Sequence, residues 1–189
     1  MREKLIEKIV CRDRSKEEFL RYSSYSCHSL DIFSEPVTGV LSSIRPSLGA
    51  CVMMSAGLVS VLECHYSIPA IAVLGDLKID GSYIFKCGGN VPKGNSEKKI
   101  IAQNWDGHCW VEVDSIILDL SIFRTAYKIK HPSLLKDYLI SKFGTGRGAF
   151  VSPVESLPQE LEFIPKFVLN DNQLREVLAG LSAQQGRKA

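Results

Sequence analysis

Hydrophobic and polar positions change period several times along the chain, and each change marks an element. Residues 2 to about 30 carry helical spacing: Leu5 and Ile9 share a face, and Glu3 with Glu7 and Lys4 with Lys8 mark polar ones. Ser15-Lys16-Glu17-Glu18 has the form of a capping box, which predicts a second short helix. From Asp31 to Ala50, Pro36, Gly39, Pro46 and Gly49 recur among Ser and Thr, a pattern that predicts a long loop. Cys51 to Tyr66 is almost wholly small or apolar, and its length predicts a helix buried on nearly all sides. Pro69 cannot continue that helix and pushes Ile68 into extended backbone.

Beyond this helix the period falls to two. Ala70–Leu74 is rich in strand formers, and Asp80-Gly81 is a hairpin signal between Gly75–Ile79 and Ser82–Lys86. Gly88 to Lys99 reads as a polar loop, and Ile100–Gln103 as a short extended run. His108–Val113 alternates as a strand, and Asp114-Ser115 turns it back into Ile116–Leu120. Pro132–Phe143 and Asn172–Leu181 predict two further helices. The expected class is α+β, with N-terminal helices packed on an antiparallel sheet. It is expected to form one domain over 1–189: helices in 1–30, a core at about 48–122, and a C-terminal extension 123–189.

Composition narrows the function. With 23 basic and 21 acidic residues the net charge is +2, too weak a field to predict a nucleic-acid partner. The longest apolar run, Val52–Leu62, is broken by Ser55, Gly57 and Ser60 and falls short of the about 20 residues a membrane helix needs, so no membrane partner is expected. The N-terminal residues lack the apolar stretch of an export signal, which predicts a cytoplasmic location and six free thiols. Gly144-Thr145-Gly146-Arg147-Gly148 lacks the Lys-Ser/Thr ending of a phosphate loop. No cofactor is expected.

Chemistry concentrates at three positions. Cys51 opens the buried helix, where unpaired N–H groups and the helix dipole favour a thiolate, and its own N–H can donate to an oxyanion. Gly49 and Ala50 before it leave room for a substrate carbonyl. His108 opens a strand, a rigid platform for an imidazole base, with Trp110 and Glu112 on its face and Cys109, Val111 and Val113 on the other. His108 and Cys109 therefore cannot both point into one site, which argues against Cys109 as the nucleophile. With Asp114-Ser115 as the turn, Asp119 falls opposite Trp110, diagonal to His108 on the same face, where a carboxylate can orient the imidazole. The candidate catalytic residues are Cys51, His108 and Asp119, with Gly49 and Trp110 as candidate substrate contacts.

Leu48-Gly49-Ala50-Cys51, the buried helix and Tyr66-Ser67-Ile68-Pro69-Ala70-Ile71-Ala72-Val73 resemble the nucleophile helix and following strand of transglutaminase-like proteins. Gly107-His108-Cys109-Trp110-Val111-Glu112-Val113 and Leu118-Asp119-Leu120-Ser121 resemble their histidine and aspartate strands. The match covers about 48–122 in the family's order. The resemblance implies a papain-like core, a thioester acyl-enzyme, and transfer to water or an amine, with a peptide, protein or small amide or ester as substrate. Ser67 stands where the family often has Gly, Ile71 where it often has Arg, and Leu120-Ser121 where Pro-Thr is usual. No Gln, Trp or Asn precedes Cys51, so the second oxyanion donor is unassigned, with Tyr22, Tyr25 and Ser47 as candidates.

Three other readings stay open. An arylamine N-acetyltransferase shares the Cys-His-Asp order, although the expected Arg-Gly-Gly before the cysteine is absent. A non-catalytic binding module could retain the same fold. The pairs Cys27-His28, Cys64-His65 and His108-Cys109 raise a metal site, but none has the spacing of a zinc motif, and no metal is expected.

Overall fold

The structure, a computed structural model, describes residues 2–44, 50–89, 91–93, 95, 97, 99 and 107–186. The first helix, α1 (Arg2–Asp13), leads into α2 (Lys16–Ser23). Ser15 caps α2 by accepting a hydrogen bond from the Glu18 N–H at 3.1 Å. The reciprocal half of the capping box is absent: the Glu18 carboxylate turns to Arg14 and Arg21, at 3.2 and 2.9 Å.

The loop expected over 31–50 is largely helical. A 3₁₀ turn (Leu30–Phe33) runs into α3 (Ser34–Ser43). Pro36 falls in the first turn, where its missing N–H costs no helical bond. Phe33, Val37, Val40 and Ile44 form a buried stripe at helical spacing. The Arg124 guanidinium closes the helix end by donating to the carbonyls of Leu41 and Ile44.

Helix α4 (Cys51–Tyr66) has the predicted bounds. It ends on Ser67, whose φ of 54° and ψ of 30° lie in the left-handed region, with the Ile68 N–H donating to Leu62 O at 3.0 Å. Serine at this helix end bears a Cβ penalty that glycine lacks. Ser67→Gly is therefore expected to raise unfolding free energy by about 1 kcal/mol in urea titration.

Among the described residues the sheet has six strands: β1 (Ile71–Ile79), β2 (Ser82–Phe85), β3 (His108–Val113), β4 (Ile116–Asp119), β5 (Phe150–Pro153) and β6 (Leu161–Val168). All five pairings are antiparallel. Both predicted hairpins form, with positive φ at Asp80, Gly81, Asp114 and Ser115. Central strand β1 pairs with three others. Residues 73–75 bond to both β3 and β6, and 77–79 to both β2 and β6, so β6 takes one edge while β2 and β3 share the opposite one end to end.

The region expected as a C-terminal extension thus supplies two strands of the central sheet. It also supplies α5 (Ile122–Lys128), α6 (Leu134–Phe143) and α7 (Asp171–Gly186). Helix α6 starts two residues after Pro132, and α7 extends the predicted 172–181 at both ends. Asn170 and Gln173 cap α7 reciprocally, each side chain accepting from the other's N–H at 3.0 Å.

Helices cover both faces of the sheet. On one, Met54, Leu58 and Leu62 of α4 pack with Cys109, Val111, Val113 and Leu118, and α3 and α7 join the same core. On the other, Trp110, Ile71, Val73 and Ile117 meet Ile6 and Ile9 of α1, Ile122 of α5 and Leu139 of α6. Among the described residues no helix is long and apolar enough to cross a membrane.

Candidate functional site

The β3–β4 hairpin brings two distant residues together. Its register pairs Val113 with Ile116 and Val111 with Leu118, which sets Asp119 diagonally across from His108. His108 Nε2 and Asp119 Oδ2 lie 2.5 Å apart. Both are buried, at 1% and 0% exposure. Oδ1 of Asp119 accepts from the Ser121 N–H at 2.9 Å, the Ser121 hydroxyl at 2.9 Å and the Ile122 N–H at 3.0 Å. One carboxylate oxygen thus holds the start of α5 while the other holds the imidazole.

Burial opposes charge on His108, and on its own would lower its pKa. The charge and hydrogen bond of Asp119 outweigh that, with further help from a hydrogen bond to Cys51, and raise it from 6.5 to about 10. With Nε2 committed to Asp119, Nδ1 is the ring nitrogen left for the thiol. Cys51 is the first residue of α4 and only partly buried. Ala50 before it has no side chain to cap the helix, so the thiol sits beside N–H groups that have no helical acceptor.

Strand alternation gives the neighbours of His108 a supporting role. Trp110, a candidate substrate contact from its position in the strand, is fully buried. Its indole N–H donates to Glu112 Oε1 at 2.8 Å, and its ring meets Phe163 edge-on at 5.2 Å. Arg2 pairs with the same Glu112 oxygen and donates to Phe163 O at 2.6 Å, tying α1 to β3 and β6. Trp110 packs under His108 because residues 108, 110 and 112 share one face, and that face is covered by helices.

Gly75 makes this packing possible. It lies opposite His108 on β1 and at a register shift opposite Pro165 on β6. A Cβ there would sit 2.0 Å from Ile164 O and 2.7 Å from the Trp110 ring.

Other sequence candidates fall elsewhere. Cys109 is fully buried on the α4 face, and burial, followed by the Cys51 charge, pushes its thiol well above the ordinary value. Tyr22 and Tyr25 stand near the opposite end of β3, where the Tyr22 hydroxyl accepts from the Ser115 N–H at 3.4 Å and Asp114 acts on both rings. Neither can donate to an oxyanion at Cys51. Gly49 and Ser47 lie outside the described residues, as does the run expected at Ile100–Gln103. Among the described residues no group of three or more His, Cys, Asp or Glu could hold a metal ion.

Three contributors are not assigned from sequence: Ser121, Gly75 and Phe85, whose ring stacks on His108. Asp119 followed two residues later by Ser121 is a recognisable turn signal, since Asp side chains bond the backbone two residues on. Gly75 interrupting a strand pattern is likewise a sign of close backbone approach. Phe85 carries no local signal.

No protein-family profile matches the chain, and no curated protein matches it. One solved crystal structure, described only as a genomics target, shares 15% identity with a TM-score of 0.35, over 82% of this chain and 70% of that one.

Proposed function

We propose that the protein is a cysteine-dependent acyl-transfer enzyme with a transglutaminase-like, papain-related core. The observation that carries this reading is the buried His108–Asp119 pair, locked by three further donors on Asp119, beside a cysteine at a helix N-terminus. A structural ion pair has no need of a partly exposed thiol close enough to act on its imidazole.

The chemistry follows from the atoms. With the thiol proton already held on His108 Nδ1, Cys51 Sγ attacks the carbonyl carbon of an amide, ester or thioester as the thiolate of that ion pair. N–H groups of the first turn of α4, that of Cys51 among them, receive the oxyanion. The C–N, C–O or C–S bond then breaks as His108 returns the proton to the leaving atom, and a thioester on Cys51 remains. Water or an amine, deprotonated by His108, attacks that thioester and releases the thiol. Asp119 holds the ring in one orientation and favours the imidazolium throughout.

The near-complete burial of His108 favours a second reading, a non-catalytic module in which the pair serves the fold. Iodoacetamide labelling, mapped by mass spectrometry at pH 6.5, separates the two. Exposed Cys64 is the internal control, because accessibility alone would make it react ahead of partly buried Cys51. The enzyme reading expects Cys51 to be labelled first and His108→Ala to slow it by about 10²-fold, the lower end of what a positioned base contributes. An activated p-nitrophenyl ester should also leave one acyl group on Cys51 and none on Cys51→Ala. Labelling of Cys51 no faster than Cys64, with no dependence on His108, leaves the binding module as the answer.

A further inference from the structure

Strands β2 and β3 lie end to end along one edge of β1. Phe85, the last residue of β2, is opposite Leu77, and His108, the first of β3, is opposite Gly75, so only Asp76 separates them on the shared neighbour. The two rings meet at this junction. Their centroids are 5.0 Å apart with 13° between planes, closer and more parallel than Trp110 at 6.2 Å or Phe163 at 6.4 Å.

The junction is also pinned from β1. Asp76 is 2% exposed; its Oδ1 accepts the Cys87 N–H at 2.7 Å and its Oδ2 meets Lys166 Nζ at 3.3 Å. A buried carboxylate is costly unless paired, and this one holds the backbone just two residues beyond Phe85. Phe85 is itself only partly buried, whereas the imidazole beneath it is 1% exposed. The phenyl ring is therefore a layer between His108 and water.

We propose that Phe85 is a positioning residue for His108. This rests on the acyl-transfer reading above. The parallel ring allows the imidazole to turn in only one plane, the plane that keeps Nε2 on Asp119 and directs Nδ1 to the thiol. Its face favours the imidazolium by cation–π attraction. It also keeps water from competing for the Asp119 oxygen, which preserves the strength of the pair.

The test uses ¹⁵N-histidine-labelled protein and reads the proton between His108 and Asp119 by NMR, together with the Cys51 labelling rate. In Phe85→Ala this proton should exchange with water at least 10-fold faster and Cys51 labelling should slow about 10-fold, while Phe85→Tyr, which keeps the stack, should restore both. Unchanged exchange in Phe85→Ala overturns the proposal, and so does faster exchange with unchanged labelling, because the ring would then be a cover alone. If Phe85→Ala does not fold, Phe85→Leu carries the same comparison. His108→Ala in the same series separates the two ideas: labelling that responds to His108 but not to Phe85 sinks the positioning role and leaves the acyl-transfer reading standing.

Discussion

Asp119→Ala is expected to lower unfolding free energy by about 3–5 kcal/mol, the usual cost of removing one partner from a buried charged pair. The variant leaves His108 without an acceptor and orphans the Ser121 N–H, the Ser121 hydroxyl and the Ile122 N–H at the start of α5. Asp119→Asn retains a carbonyl for the latter three donors and should lose less. The two variants also differ from the parent in pH dependence. The raised pKa of His108, about 10 against 6.5 for the free side chain, means that the folded state holds this proton more tightly than the unfolded one. Its contribution is fully present below pH 6.5 and is lost as pH rises towards 10. In Asp119→Asn burial is opposed only by Cys51, the His108 pKa falls from about 10, and the pH range over which this group's stabilisation is lost moves down with it. Urea midpoints at several pH values for parent and variant measure this directly. Parallel pH profiles would mean that Asp119 does not hold the His108 proton.

The second large effect is expected at Gly75, where Ala should cost about 3 kcal/mol, near the upper end of overpacking penalties. The added Cβ meets a backbone oxygen at 2.0 Å, and Ile164 O cannot rotate away as a side chain could. Relief requires β6 to separate from β1 or the Trp110 ring to shift, and either disturbs the support of His108. Gly75→Ala should therefore show both a lower urea midpoint and slower Cys51 labelling. A variant as stable as the parent would show that β6 yields freely at the register shift. Gly39→Ala is the control, since no atom lies within 4 Å of its added Cβ.

Features specified within a few residues are legible in the chain. Asp80-Gly81 and Asp114-Ser115 adopt the positive φ that hairpin turns demand, and once a turn is placed, period two dictates the partners of every residue beyond it. The diagonal of His108 and Asp119 is legible from residue order for that reason. The bounds of α4 are legible on the same ground, with Pro69 and the apolar run acting locally. Helix α3 is not, because Pro36 and Gly39 mimic a loop while the stripe of Val37, Val40 and Ile44 has meaning only against the core it joins. Strand β6 is hidden by Pro165, a poor strand residue that is tolerated here because, among the described residues, β6 is an edge strand paired with β1 alone, at a register shift between Leu74 and Gly75.

Residue order alone specifies the succession of candidate nucleophile, base and orienting carboxylate, the helix and strands that carry them, and the face each strand residue takes, since propensity, turn chemistry and side-chain alternation act over short spans of chain. What surrounds the imidazole is set only by tertiary packing. Phe85 from β2, Phe163 from β6 and the Ile164 carbonyl over Gly75 reach the site through pairings between segments as distant in the chain as Val73 and Val168. Such pairings depend on the sum of the surface buried between the segments, and no local pattern encodes that sum.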